Sequence, residues 1–177
     1  MEVFQGRPAD VTGRLEKEIA VYDLLNQLDI PFRRVDHDHA DTMEMCQEID
    51  QALGQDICKN LFLCNRQKTK FYLLLMPGDK PFKTKDLSAQ IGSSRLSFGG
   101  PEDMERLLNL TPGSVTVLGL MYDPDCQVTL LIDQDLYQQT AFGCHPCINT
   151  STVQFSTADF RETLLPALGH PVTLVQL

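Results

Sequence analysis

The stretch "CKNLFLCNRQKTKFYLLLMP", residues 58–77, decides the fold. It contains two apolar runs rich in Leu, Phe and Tyr, separated by the polar residues "RQKT". Short apolar runs on both sides of a polar turn are typical of a β-hairpin. The sequence therefore predicts a hairpin of two buried strands over this stretch.

Apolar spacing and turn residues predict the elements around this hairpin. Before it, residues 14–30 place Leu, Ile and Tyr three and four positions apart, as in an amphipathic helix. Thr42 is a candidate N-cap for a second helix over 42–53. After it, three helices are predicted over 83–92, 99–110 and 156–168. Strands are predicted over 31–37, at the end of 111–120, and over 126–133, 140–142 and 171–177, with 126–133 paired to the strand of 111–120.

These elements show no regular βαβ alternation, so the predicted fold class is α/β of the mixed α+β kind. We expect a mostly antiparallel sheet with helices around it, and one domain over residues 1–177. There is no GxGxxG motif after a strand and no Walker A motif, which argues against the common nucleotide-binding folds. No apolar run reaches the roughly 18 residues of a membrane helix. The start of the chain lacks the features of a secretory signal, so we expect a cytoplasmic protein with six reduced cysteines.

The charge is divided unevenly along the chain. The formal net charge is −9, but residues 59–95 hold eight basic and two acidic residues, or +6. The other residues hold 7 basic and 22 acidic ones, or −15. A basic segment on an acidic protein can direct a polyanion to one face, although a lysine-rich surface hairpin would show the same pattern.

A second stretch, "FGCHPCINTST" at 142–152, carries a Cys-x-x-Cys pair. Cys144 and Cys147 have the spacing of a redox dithiol or of half a zinc site. The β-branched and polar residues after Cys147 are a poor helix start, and no second such pair occurs in the chain. We therefore favour packing roles for both cysteines, with the redox and zinc sites as alternatives.

The same stretch contains a histidine in a constrained position. Proline restricts the residue before it to an extended conformation, so Pro146 holds His145 rigidly at the end of a strand. Gly143 allows a close approach of the backbone, and Asn149 follows. A rigid loop with one ionisable side chain suits a binding pocket, although a lone histidine is more often structural.

Two further groups are candidates for contacts with an anion. Lys59 and Asn60 open the first hairpin strand, where the lysine could hold a phosphate or an oxyanion, or simply extend to solvent. In "IGSSRLSFGG", residues 91–100, Ser93 and Ser94 supply hydroxyls and Arg95 a guanidinium fork for a phosphate.

The segment His37-Asp38-His39, followed by Asp41, could imitate a metal cluster. No further ligand is spaced with these residues, so a solvated loop is the favoured interpretation.

Taken in order, four segments resemble one family. They are the Lys-Asn pair of "KNLFL", the "RLSF" segment, the turn "TPGSVT" and the His-Pro-x-x-Asn loop. This order is similar to that of the YbaK-like aminoacyl-tRNA editing domains, which resemble the insertion domain that edits in bacterial prolyl-tRNA synthetases. The resemblance covers nearly the whole chain from about residue 15 and is strongest to freestanding alanyl-tRNA(Pro) deacylases of the ProXp-ala or PrdX type.

The resemblance implies a curved, barrel-like antiparallel sheet and hydrolysis of the ester that joins a mischarged amino acid to tRNA. It implies catalytic roles for Lys59, Asn60 and His145, and a substrate pocket that includes Gly143, Pro146 and Asn149. The implied tRNA contacts are Arg95, Ser93, Ser94, Lys83 and Lys85. Cys144 and Cys147 are not family signatures, and His37-Asp38-His39 departs from the His-Pro that many members carry.

The implied reaction needs a positioned water and oriented dipoles rather than a covalent nucleophile, since no Ser-His-Asp set is present. No cofactor and no metal is expected. The expected partner is the acceptor end of a mischarged tRNA(Pro), with a prolyl-tRNA synthetase as a second candidate and with DNA and membranes excluded. The alternatives are a tRNA- or synthetase-binding module without activity, and a redox or zinc protein built on the Cys-x-x-Cys pair.

Overall fold

The computed structural model describes all 177 residues and contains nine strands. The strands are β1 (Phe4–Gln5), β2 (Arg33–Asp36), β3 (Lys59–Cys64), β4 (Phe71–Met76), β5 (Ser97–Phe98), β6 (Val128–Asp133), β7 (Ala141–Cys144), β8 (Ser151–Ser156) and β9 (Val172–Val175). The α-helices are α1 (Glu16–Gln27), α2 (Met43–Leu53), α3 (Thr84–Ile91), α4 (Pro101–Leu108), α5 (Thr157–Asp159) and α6 (Leu165–Leu168). Two 3-10 helices, Val117–Tyr122 and Gln134–Gln138, and a π-helical turn, Phe160–Leu164, complete the elements.

The strands form two sheets rather than one sheet closed into a barrel. The first sheet has the order β1-β2-β8-β7 and is antiparallel throughout. The second has the order β5-β3-β4-β6-β9, in which β6 pairs in parallel with β4 and with β9. The predicted mixed fold with mostly antiparallel pairing is confirmed, and the hairpin β3–β4 has Lys59 opposite Met76 and Cys64 opposite Phe71.

The main core lies between the sheets and the helices. It joins alternate residues of β3, β4 and β6 to the buried faces of α1, α4 and the last helical region. Phe142 of β7 stacks on Phe160 with their ring centroids 4.0 Å apart, which fixes the end of β7 against that region. A smaller core on the other face of the second sheet packs against Leu87 of α3.

The predicted strand at the end of 111–120 is wrong. Residues Val117–Tyr122 form a 3-10 helix whose first four residues are buried. The side chain of Thr116 accepts a hydrogen bond from the Leu118 amide, which caps the helix. A short buried apolar run does not distinguish a strand from a buried helix, and β6 therefore finds its partners in β4 and β9 instead.

The predicted helix starts agree with the caps that the structure shows. Thr42 accepts a hydrogen bond from the amide of Met45, and Ser156 accepts one from the amide of Asp159. The π-helical turn directly precedes α6, where Pro166 supplies no amide donor for a regular helical bond. None of the helices combines the length and the apolar character that crossing a membrane requires.

Candidate active site

A cavity of about 220 Å³ lies where the start of β3, the end of β7 and the turn before the first 3-10 helix meet. None of its lining residues carries a charged carboxylate, ammonium or guanidinium group. They are Ile57, Cys58, Asn60, Gly113, Val115, Cys144 and His145. The structure therefore brings the predicted residues Asn60 and His145 together from parts of the chain that are 85 positions apart.

Hydrogen bonds join the two sides of this cavity. The side-chain amide of Asn60 donates from Nδ2 to Cys58 Sγ at 3.2 Å, and Cys58 Sγ donates to the carbonyl oxygen of Gly143 at 3.5 Å. On its other side, Asn60 Oδ1 accepts a hydrogen bond from the amide of Val117 at 3.0 Å. Nδ2 also donates to the Cys58 carbonyl oxygen at 3.4 Å, so a bound molecule would have to replace one of these two weak bonds to accept from Asn60.

His145 lines the cavity and has one ring nitrogen that can accept a hydrogen bond. Its Nδ1 lies 2.8 Å from the carbonyl oxygen of Ser151. Because a carbonyl oxygen only accepts, Nδ1 carries the proton, and Nε2 of the neutral ring has a free lone pair. Burial lowers the pKa of His145, and nearby His37 acts in the same direction, while the bond to Ser151 opposes them. The ring is therefore neutral at neutral pH and can accept a hydrogen bond from water or from an amino group.

A second histidine, which sequence reasoning assigned to a solvated loop, lies beside His145. The two ring centroids are 6.0 Å apart. His37 Nε2 accepts a hydrogen bond from the hydroxyl of Thr152 at 2.9 Å, since Nδ1 donates to the Asp38 carbonyl at 2.7 Å. His39, by contrast, is exposed. The signal that could have placed His37 was its position directly after β2, which pairs with β8.

Gly143 and Pro146, both predicted to lie in the pocket, are buried next to lining residues but do not line the cavity themselves. A Cβ atom on Gly143 would lie 2.5 Å from Cδ1 of Ile57, so the absence of a side chain lets Ile57 line the cavity. Pro146 is buried directly after His145. Ile57 itself, with Cys58, Gly113 and Val115, was missed by sequence reasoning, because only tertiary packing brings these residues together.

The cysteines near the cavity are protonated thiols. Burial raises the pKa of Cys144 and of Cys147, each to about 12, and also raises the pKa of Cys58. A redox-active dithiol needs a lowered pKa, so this environment is the opposite of the one such chemistry uses. No group of three or more His, Cys, Asp and Glu side chains has an arrangement that could hold a metal ion. The packing role favoured for Cys144 and Cys147 fits these surroundings better than the redox and zinc alternatives.

Lys59 lies next to Asn60 in sequence but does not line the cavity. Neighbouring residues of a strand point to opposite faces of its sheet, and Asn60 occupies the cavity side. The ammonium group of Lys59 instead donates to the carbonyl oxygen of Lys80. Lys80 in turn forms ion pairs with Asp133 and Asp135, which fix the segment that holds Lys59. The structure thus places Lys59 at the same end of β3 as the cavity but on the opposite face.

Asn149 lies in a neighbouring cleft of about 390 Å³ rather than in the cavity. Its Oδ1 accepts a hydrogen bond from the amide of Ala40 at 3.1 Å, and its Nδ2 donates to Asp41 at 2.9 Å. Gly113, with φ of +89°, lies against Asn149 and separates the cleft from the cavity. In this structure Asn149 holds the 37–41 segment in place, so the structure gives it a positioning contact rather than a place in the pocket.

The predicted tRNA contacts lie around α3 and β5, at one edge of the second sheet. Lys83, Lys85 and Arg95 are exposed. Ser94 Oγ accepts a hydrogen bond from the Arg66 amide, and Ser93 donates its backbone amide to Ser88, so these serines connect α3 to the β3–β4 turn. Of the eight basic residues between 59 and 95, only Lys80 forms an ion pair. This edge therefore carries positive charge without carboxylate partners, and Arg95 lies toward the end of β3 that is away from the cavity.

Comparison with known protein families identifies the family to which this domain belongs. Residues 37–163 match the family model of the aminoacyl-tRNA editing domain. The chain belongs to this editing family. Members of the family are aminoacyl-tRNA deacylases, which hydrolyse the ester between an amino acid and tRNA, so the predicted enzyme class and its tRNA substrate are confirmed.

The relatives of this editing domain span nearly the whole chain. The prolyl-tRNA editing protein ProX of Acetoanaerobium sticklandii is 30% identical over 92% of this chain and 99% of its own length. The prolyl-tRNA synthetase associated domain-containing protein 1 of Danio rerio is 28% identical over 94% of this chain and 88% of its own. A crystal structure of a protein proposed to be a trans-editing enzyme for prolyl-tRNA synthetase superposes with a TM-score of 0.66 at 17% identity, covering 92% of this chain and 98% of that one. That last likeness establishes the fold.

Proposed function

We propose that the protein is a trans-editing deacylase of the prolyl system, which removes alanine from mischarged tRNA(Pro) in the cytoplasm. The observation that carries the proposal is the cavity of about 220 Å³, which is lined by Asn60 and a neutral His145 and lies at the end of β3 that Lys59 opens. The relatives ProX and the prolyl-tRNA synthetase associated protein support the choice of the prolyl system.

Selectivity for alanine over proline would come from the size of the cavity. A hydrophobic pocket discriminates weakly against a smaller ligand but can reject a larger one sterically, as in an editing sieve. Val115 and Ile57 are the aliphatic side chains that line this cavity. The prolyl ring would then be excluded by these side chains, while the methyl group of alanine fits.

Hydrolysis would proceed by direct attack of water on the ester carbonyl carbon. The bond between that carbon and the ribose oxygen breaks, the ribose oxygen takes a proton that originates from water, and the free amino acid leaves. Asn60 Nδ2 is suited to donate to the carbonyl oxygen as negative charge develops there. Backbone groups of residues 143–146 and the tRNA 2′-hydroxyl would orient the water, and His145 Nε2 would accept a hydrogen bond from the water or from the substrate amino group.

The proposal is tested by measuring deacylation of Ala-tRNA(Pro), Pro-tRNA(Pro), Ser-tRNA(Ser) and Ala-tRNA(Ala) by the wild-type protein. We expect release of alanine from tRNA(Pro) alone. Turnover of a different ester would keep the enzyme class and replace the substrate. Binding of tRNA without turnover of any ester would contradict the proposal and favour a binding module.

Lys59→Ala is expected to raise KM for Ala-tRNA(Pro) by about 10- to 100-fold with a smaller change in kcat. The reason is that a charged hydrogen bond to a phosphate contributes roughly 1.5–3 kcal/mol, and Lys59 lies outside the cavity. Steady-state kinetics measure the changes in KM and kcat separately, and circular dichroism checks that the variant is folded. Arg161→Ala, which removes an exposed cation outside the basic segment, is the control. A fall in kcat at unchanged KM would place Lys59 at the reacting ester instead.

The enzymatic rate is expected to change little from pH 8 to pH 7, and its acid limb is expected to lie below the ordinary histidine pKa of 6.5. The pKa of His145 lies below the ordinary value of 6.5, so the neutral ring persists throughout that range. The same lowered pKa means that the folded protein resists protonation of His145. The stability that the neutral ring contributes is therefore lost as the pH falls below the pKa of a histidine in the unfolded chain. The check is a pH profile corrected for spontaneous hydrolysis. An acid limb that persists in His145→Gln would belong to another group.

A further inference from the structure

One aromatic side chain is exposed beside the unpaired basic residues. Phe98 of β5 is 62% exposed, and its ring meets that of Phe82 edge-on with centroids 6.3 Å apart. Phe82 is partly buried and packs against the smaller core, whereas Phe98 is open to solvent. Sheet edges usually avoid large apolar groups, and an exposed aromatic ring at such a position indicates a contact surface.

Phe98 and Lys59 lie on the same face of the sheet. In the pairing of β5 with β3, Phe98 is directly opposite Leu63, whose side chain belongs to the smaller core. Side chains alternate along a strand, so Lys59, four residues before Leu63, shares its face. At about 3.3 Å per residue, the separation along β3 is roughly 13 Å. A line along this edge of the sheet, from Phe98 to Lys59, therefore ends at the same end of β3 as the cavity.

Positive charge lies at both ends of this line. Lys59 is at the cavity end, and Arg95 precedes β5 at the other end, near the β3–β4 turn to which Ser94 is bonded. Lys83 follows Phe82 and is exposed. Neither Arg95 nor Lys83 has a carboxylate partner, whereas Lys80 has two. Cations spaced around an exposed aromatic ring complement a phosphate backbone with unpaired bases.

We propose that Phe98 is a stacking platform for an unpaired base at the 3′ end of the tRNA, with Lys59 and Arg95 contacting the phosphates on either side. The inference rests on the proposed function, since it assigns part of that substrate to a surface. A single-stranded nucleotide segment is favoured over a protein partner, because Phe98 is the one large apolar side chain exposed at this edge and a protein interface needs a wider apolar patch. Stacking explains why the ring is aromatic and held at a fixed angle.

The test compares the wild-type protein with Phe98→Ala and Phe98→Leu. For each, the dissociation constant is measured for uncharged tRNA(Pro) that is intact and for uncharged tRNA(Pro) that lacks its unpaired 3′ nucleotides. We expect both variants to bind intact tRNA about 5- to 150-fold more weakly, the range for loss of one stacked base. Leucine retains apolar volume but lacks an aromatic face, so it should not restore binding, whereas Phe98→Tyr should. Binding of the shortened tRNA should be the same for all variants. Leu174→Ala, which removes an exposed side chain on the opposite edge strand β9, is the matched control.

Unchanged affinity of Phe98→Ala for intact tRNA would overturn the inference. An equal loss on intact and shortened tRNA would also overturn it, because the contact would then lie elsewhere on the tRNA. The binding measurement needs no turnover, so it is independent of the deacylation assay. If the wild-type protein binds tRNA through Phe98 but hydrolyses no ester, the proposed function is wrong, whereas the assignment of Phe98 as a stacking platform still holds.

Discussion

Asn60→Ala is expected to lower kcat for deacylation by about 100-fold or more and to lower the free energy of unfolding by about 1–3 kcal/mol. The first effect follows from loss of the Nδ2 donor of Asn60, which lines the cavity with His145. The second follows from loss of Oδ1, which leaves the amide of Val117, a buried residue, without its partner. Single-turnover deacylation and denaturant unfolding measure the two effects separately.

The same hairpin offers a matched control for this prediction. Asn65 is buried at the β3–β4 turn, where its Oδ1 accepts hydrogen bonds from the amides of Thr69 at 2.8 Å and Lys70 at 3.1 Å. Asn65→Ala should therefore cost comparable stability at unchanged kcat. Asn60→Asp keeps an oxygen for Val117 but lacks the donor, so it should lose kcat and retain more stability than Asn60→Ala. If kcat instead follows stability across all three variants, the role of Asn60 is structural.

The hairpin and the helices could be predicted because their signals are local. Two apolar runs around a polar turn specify β3 and β4, and Ser156 and Thr42 cap their helices by contacts three residues away. The helix 117–122 could not be predicted in this way. The amide of Val117, at its start, donates a hydrogen bond to the side chain of Asn60, which lies 57 positions earlier in the chain. A contact between residues so far apart leaves no pattern in the sequence around residue 117.

Sequence reasoning proposed two of the residues that line the cavity, Asn60 and His145, but not the other lining residues or their arrangement. Lys59 and Asn60 are adjacent in sequence, and a motif treats them as one unit, yet strand alternation sends them to opposite faces. His37 and His145 are 108 positions apart, and pairing of β2 with β8 brings their rings together. The two residues of the motif therefore face different surroundings, and the structure places Lys59 outside the cavity that Asn60 lines.

Gly143→Ala is expected to lower kcat/KM by about 100-fold with little loss of stability. The added Cβ would lie 2.5 Å from Cδ1 of Ile57, while the next atom, the carbonyl oxygen of Val153, is at an ordinary 3.6 Å. The end of the Ile57 side chain is the part that must move. Because Ile57 lines the cavity, its displacement changes the space available to the aminoacyl group. The packing that it disturbs is that of the small cluster of Val35, Ile49 and Leu53 and not that of the main core.

A second substitution tests whether Ile57 is the cause. Ile57→Val removes Cδ1, and the next nearest atom of that side chain, Cγ1, lies 3.8 Å from the point that an alanine Cβ would occupy, which is an ordinary contact. The double variant should therefore regain most of the activity that Gly143→Ala loses, giving a strong coupling between the two sites. Gly100→Ala is the control, since nothing lies within 4 Å of a Cβ at that position. A double variant as inactive as Gly143→Ala alone would show that the glycine is needed for the backbone of residues 143–146, and the cavity wall would then not be what limits the substrate.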